Sequence, residues 1–463
     1  MGPDSYPILV TSTVGSWSDL ERIFSEVLMA GRFRSDLYRP LLSASFALDY
    51  AVWGLDPFGF HLTTLLIFGA CACALYQLVT RLLPEPSWRA ALIAALVFML
   101  YPAHYEVLPV PARRADPLCA LFALLALSSH LSPHAQSRTG PAWLAGIFAL
   151  LAMGAKETGL LVPPLAAVLV FLYSARAFPF GRLRQALVVT APAWAALAVS
   201  LLARARVIGG LGGHETAGLQ NLVDALTLLR GTVFPHDVMF GTPWAWVLLG
   251  AFGVALAATI AARPRGTPGF PPSAWRALAF ASVWLVTMLA LHAYSGKMHR
   301  WYLFFPAIGW AIAAGVVLDA LLGVALGSPP RARIAAASAA ALLAGMLTWQ
   351  MRYAPLVYPY PEWARGSDAL SRYLEAAKHA IRAAPDGTVL SLGPLPSYWW
   401  ASTQEKRSRG VVHTVSAMRT DSFRAWTELA FPERRIDIRR GRAQARSSAP
   451  PDRLVIVIPE EGS

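Results

Sequence analysis

The chemistry-bearing residues of this 463-residue chain gather in five short clusters at the borders of apolar runs. Asp36-Leu37-Tyr38-Arg39-Pro40-Leu41 and Asp49 lead into Gly54-Leu55-Asp56-Pro57-Phe58-Gly59-Phe60-His61. Tyr101-Pro102-Ala103-His104-Tyr105-Glu106 comes next, then Arg113-Arg114-Ala115-Asp116, then Ala155-Lys156-Glu157-Thr158-Gly159, and last Lys297-Met298-His299-Arg300-Trp301-Tyr302. Ionisable groups beside apolar runs are costly and often mark a pathway or a site, and here carboxylates and cations gather together.

Each cluster also has a plainer reading. Lys156 and Glu157 can be a snorkelling pair at a helix end, and Tyr38, Trp301 and Tyr302 can be interfacial belt aromatics, the role favoured for Trp301. Arg114 with Asp116 can close a loop. His104 alone reads as a structural histidine. His104 and Glu106 stand two residues apart and do not share a helical face, so a divalent metal is not favoured and no cofactor is called for.

Composition says where these residues must sit. Charged residues make up 14% of the chain, against about 25% in soluble domains. Ten apolar runs long enough to cross or nearly cross a bilayer occur at about 61–83, 89–104, 116–131, 141–155, 158–174, 185–204, 243–262, 277–294, 301–323 and 334–350. The pattern predicts an all-α polytopic membrane protein with about ten transmembrane helices over 61–350. Cys71, Cys73 and Cys119 lie inside apolar runs and read as packing residues. The net charge of +13 comes from arginines scattered over loops and tail, which does not make a nucleic-acid footprint.

Alternate connections carry eleven arginines (81, 89, 138, 176, 182, 184, 263, 265, 276, 331, 333) with Glu85 the single acid. By the positive-inside rule these loops are cytoplasmic. All five clusters then face the outside, together with a first loop at 1–60 and a segment at 351–463. That segment shows helical periodicity at 366–384 and β-rich runs at 388–392, 410–415, 434–438 and 453–458, and is expected to be a small extracytoplasmic α/β domain. Its basic 404–446 stretch can touch anionic lipid or be a solvated face. Exporting residues 1–60 with no spanning run ahead of them is unfavourable, so an upstream helix is expected.

Taken in order, the clusters resemble the transmembrane and tetratricopeptide-repeat-containing O-mannosyltransferase-like proteins of the GT-C superfamily. The Tyr38 to His61 stretch is similar to their first-loop signature. Tyr101 to Asp116 is similar to a His-Pro-x-His-x-Glu … Gly-Arg-Ala-Asp pattern, with Tyr101 for its first His and Arg113 for its Gly. Lys156-Glu157 matches a Lys-Glu motif, and Arg300-Trp301-Tyr302-Leu303 … Pro306 resembles a Glu-Arg-Tyr-x-Tyr-x-Pro stretch with His299 at the acid. The carboxy-terminal repeats are absent from this sequence, and Asp4 stands for one acid of a first-loop pair, with Pro3 in the place of the other.

The resemblance implies transfer of a mannose-like sugar from a polyprenyl-phosphate carrier to a protein or lipid hydroxyl on the outer face of a membrane, here a bacterial inner membrane. It implies Asp4 as general base, Arg300 and Arg114 as phosphate binders, and Lys156 as a second phosphate-side cation. Glu106, His104 and Asp116 would line the sugar pocket or orient the base, Glu157 would belong to the same site, and Tyr38 and Arg39 would shape the loop above it. The alternative is a non-catalytic GT-C-like scaffold or carrier-lipid-binding protein, which the missing acid favours. A transporter fits less well, since transporters bind near the midplane and these span centres are largely uncharged.

Overall fold

The computed structural model describes residues 4–33, 35–83, 88–131, 140–209, 229–233, 244–262, 271–295, 300–358, 361–384, 389–392, 420–440 and 454–457. Side chains of Arg300 and of residues 292–295 are outside that description.

The chain is helical at each of the ten expected spans: α4 (Pro57–Leu82), α5 (Trp88–Met99), α6 (Ala115–His130), α7 (Gly140–Ala155), α8 (Val162–Tyr173), α10 (Ala191–Ile208), α11 (Trp244–Ala261), α12 (Pro272–Ser295), α13 (Phe304–Gly327) and α14 (Pro330–Met351). Among the described residues five helices are long and apolar enough to cross a membrane, namely α4, α10, α12, α13 and α14. At 26 residues α4 runs for about 39 Å, more than a hydrocarbon layer of about 30 Å needs. The chain is an integral membrane protein. α4, α5, α6, α7, α8, α12 and α13 share one continuous core, in which Phe68, Phe98, Phe280, Trp284 and Phe304 are buried.

Two expectations need correcting. The stretch before the first span is not an open loop, because it folds into α1 (Ser5–Ser12), α2 (Trp17–Ser25) and α3 (Pro40–Trp53). The run at 185–204 is divided: α9 (Pro179–Val189) stops at Thr190, and α10 starts anew with Pro192 in its first turn. Proline lacks the N–H that a continuous helix would require there.

The two ends of the helical body differ. At one end Arg89 pairs with Asp319 at 3.0 Å, Arg81 donates to the Ser128 carbonyl, and Arg276 lies over Tyr173. The opposite end holds Arg39, Arg113, Arg114, Lys156 and Glu157 amid their partners.

The carboxy-terminal segment contributes α15 (Pro361–Ala383), α16 (Thr420–Ala430) and strands β1 (Val389–Leu392), β2 (Asp437–Arg440) and β3 (Leu454–Val457), paired in parallel in the order β2-β1-β3. Strands thus occupy the runs at 388–392 and 453–458 and overlap that at 434–438 only at its end, and the run at 410–415 lies outside the described residues. Periodicity gave no warning of α16. Its Phe423 and Trp426 pack with Tyr373, Ala377 and Ile381 of α15, and also with Tyr6 and Phe33 from the amino-terminal stretch. Arg32 adds an ion pair to Glu428 at 2.6 Å.

Candidate active site

The Lys-Glu turn organises the charged end. α7 stops at Ala155, and Lys156 is extended (φ −158°, ψ 152°) while its N–H still reaches the Ala152 carbonyl. The Gly159 N–H closes the turn on the Lys156 carbonyl. A Cβ at Gly159 would stand 2.5 Å from the Ala152 carbonyl carbon, so only glycine fits so close to the preceding helix. The extended backbone sends the two neighbouring side chains opposite ways. Lys156 Nζ lies 2.5 Å from Asp116 Oδ1 in the first turn of α6, with both groups buried. Glu157 is gripped by Arg39, whose Nη2 donates to Oε2 at 2.7 Å and whose Nε lies 3.1 Å from the same oxygen.

Arg39 immediately precedes Pro40, the first residue of α3, and so hangs from a rigid helix start. Burial works against its charge, but Glu157, with help from Asp116 and the Tyr302 hydroxyl, outweighs it and holds the guanidinium above its usual range. Fully buried Arg204 of α10 meets the other Glu157 oxygen at 3.6 Å and donates to the Tyr38 carbonyl. The Tyr38 hydroxyl donates to the Phe24 carbonyl at 2.8 Å, tying the segment before α3 to α2.

A second group adjoins the first. Glu106 accepts the Tyr105 hydroxyl at 2.6 Å, and its backbone carbonyl accepts from Arg113 Nη1 at 2.5 Å. The Arg113 guanidinium sits 4.0 Å over the Trp301 ring. Burial lowers the Arg113 pKa, and the negative charges of Glu106, Asp116 and Asp4 oppose that drop. Asp4, at the start of α1, is therefore within electrostatic reach of the cluster. Trp301, expected as a belt anchor, serves as a platform here.

Arg114 does something different. Its side chain is 0% exposed, with Nη2 2.5 Å from Asp49 Oδ2 and 2.6 Å from the Phe60 carbonyl. Nε donates to Thr64 Oγ1, and the guanidinium lies 5.2 Å over Phe46. Burial lowers its pKa, with Asp49 pulling the other way. This residue clamps α3, α4 and α6 together and, as placed, offers a phosphate nothing. His104 is likewise enclosed. Rings of Phe68, Phe98, Tyr101 and Phe304 surround it with centroids 4.8 to 5.6 Å away, and Nε2 sits 2.8 Å from the Phe98 carbonyl. Among the described residues His104 is fully enclosed by this aromatic cage.

The structure thus brings Arg39, Lys156, Glu157, Asp116 and Glu106 together with Asp4 nearby, and sets Arg114 and His104 aside. Lys156, expected to face phosphate, is committed to Asp116. Arg300 opens the turn at Arg300–Leu303 that precedes α13, and its side chain is outside the described residues. Arg204 was missed as a site residue, while Arg113 and Asp49 were noted in the clusters without a role. Arg204 could have been found as an arginine closing an apolar run.

No protein-family profile matches the chain. In sequence it is similar to protein O-mannosyl-transferase tmtc2 of Xenopus laevis, 36% identical over 136 residues, and to protein O-mannosyl-transferase TMTC2 of Homo sapiens, 33% identical over 136 residues. Each match covers 28% of this chain and 16% of the relative. Protein O-mannosyl-transferase TMTC4 of Homo sapiens is 31% identical over 150 residues, 28% of this chain and 20% of that protein. The chain therefore spans about a sixth to a fifth of the length of these relatives. Among solved structures, ArnT from Cupriavidus metallidurans in its apo state aligns at 16% identity with a TM-score of 0.48, and the same protein bound to undecaprenyl phosphate at 15% and 0.49; both cover 94% of this chain and 85% of ArnT. Over somewhat more than a quarter of its length, this chain is a sequence relative of the TMTC protein O-mannosyl-transferases.

Proposed function

We propose that the protein is a membrane glycosyltransferase that moves a sugar from a polyprenyl-phosphate carrier to an acceptor hydroxyl at the charged end of the bundle. The observation that carries this reading is the Arg39–Glu157–Arg204 and Lys156–Asp116 network, whose members other than Arg204 belong to the motifs that resemble the O-mannosyl-transferases. In the reaction the acceptor oxygen attacks the anomeric carbon, the bond from that carbon to the phosphate oxygen breaks, and the phosphate leaves with the electron pair. The acceptor proton passes to a carboxylate. Asp4 is the proposed base, and Glu106 is the neighbouring acid that can orient it or the sugar.

The ion pairs supply a fixed field: buried cations beside the reacting phosphate need no reorganisation as charge develops. The donor is a polyprenyl-phosphate-linked, mannose-like sugar, the acceptor is a protein or lipid hydroxyl, and the site faces the outside of a bacterial inner membrane. Residues 351–463 form an α/β unit on that same face. Binding of a polyprenyl-phosphate hexose by the full chain in detergent tests the reading. Preference for the sugar-bearing carrier over bare polyprenol supports it, and equal binding of the two removes it.

A further inference from the structure

Arg114 is spent on Asp49, Thr64 and the Phe60 carbonyl, so its place beside Arg300 as a phosphate-binding guanidinium is open to another residue. Its neighbour has the required geometry. Among the described cations of the cluster Arg113 is the most accessible: its side chain is 28% exposed, against 17% for Arg39, 9% for Lys156 and none for Arg114 or Arg204. Among the described residues its hydrogen bond runs from Nη1, to the Glu106 carbonyl, with the Glu106 carboxylate at 3.8 Å. Trp301 supports the guanidinium at 4.0 Å. A guanidinium has five N–H donors in a planar fork, and the Nε and Nη2 edge is the pair that phosphate oxygens accept side by side. The aromatic support and the Glu106 contact fix that fork before a ligand arrives, which reduces the ordering required on binding.

We propose that Arg113, held by Trp301 and Glu106, is a guanidinium that meets the carrier phosphate. The assignment rests on the reading of this end of the bundle as a polyprenyl-phosphate site. It also marks a departure by this chain from the family it resembles, whose pattern has glycine at this position. Lys156 and Arg39, already paired with Asp116 and Glu157, then act as the fixed cations behind the contact.

The test measures binding of a polyprenyl monophosphate and of the same-length polyprenol to the full chain in detergent, for wild type, Arg113→Ala and Arg113→Lys. The phosphate preference of wild type should fall about tenfold or more in Arg113→Ala, the loss expected for one charge-assisted contact, while polyprenol binding stays unchanged. Arg113→Lys, which keeps the charge and loses the fork, should fall between them. An Arg113→Ala protein with wild-type preference overturns the assignment. So does loss of polyprenol binding in that variant, because Arg113 would then be holding the fold. Should wild type itself show no preference for phosphate, the reading of the site falls, and the assignment with it.

Discussion

Lys156 and Asp116, forty residues apart in sequence, bury a 2.5 Å ion pair between the end of α7 and the start of α6. Breaking one partner of such a pair leaves an uncompensated buried charge, which typically costs about 3–5 kcal/mol, whereas replacing both by apolar residues of similar volume is often neutral. Lys156→Met should therefore lower the thermal midpoint in detergent well below that of Lys156→Met with Asp116→Leu. Equal midpoints for the single and double variants would show that the pair is not coupled.

Adjacent arginines should behave oppositely. Arg114→Ala removes the ion partner of buried Asp49 and the donor to Thr64 Oγ1, while the Phe60 carbonyl keeps the Thr64 hydroxyl, so it should destabilise the fold by about 3–5 kcal/mol. Arg113→Ala, on a partly exposed side chain over Trp301, should shift stability by less than about 1 kcal/mol. Thermal unfolding of the two purified variants decides, and a larger loss in Arg113→Ala would reverse the roles given to them.

The carboxy-terminal segment should hold α1 in place. α1 has only eight residues, too few for an isolated helix to persist. Ile8 and Leu9 pack with Phe46 of α3 and Phe60 at the start of α4, while Tyr6 packs with Phe423 and Trp426 of α16. Removing the α16 wall by Trp426→Ala should speed amide hydrogen exchange across residues 5–12, and with it the mobility of Asp4. Unchanged protection of that stretch would mean that α1 is held by the membrane body alone.

Orientation has its own check. Ser18→Cys on α2 and Arg184→Cys on α9 place thiols at the two charged ends of the chain. An impermeant maleimide applied to intact cells should label the first and spare the second until the membrane is opened. The reverse pattern would turn the protein over and put the cluster inside the cell.

Much of the membrane body was legible because apolar runs long enough to span a bilayer have few other uses, and the helices fall on all ten of them. Boundaries were less legible. Thr190 ends one helix and begins the next through Pro192, a break that hydropathy averages away. α3 was read as loop since Pro40–Trp53 is apolar but too short to span. In the site, residue types were legible and pairings were not. Glu157 meets Arg39 across 118 positions and Arg114 meets Asp49 through a fold that brings three helices together, and no local spacing announces either. The same limit hid the difference between Arg113 and Arg114: consecutive residues in a one-turn helix point different ways, one to the core and one to the cluster.

The most direct measurement follows polyprenyl phosphate by mass spectrometry after the purified full chain is mixed with polyprenyl-phosphate mannose and a serine- or threonine-bearing peptide. The account predicts stoichiometric release of polyprenyl phosphate and glycosylated peptide, with the rate lowered about 10²–10⁴-fold by Asp4→Asn if that carboxylate is the base. Donor that binds yet stays intact through many hours, with no peptide modified, would contradict transfer and leave a carrier-lipid-binding scaffold.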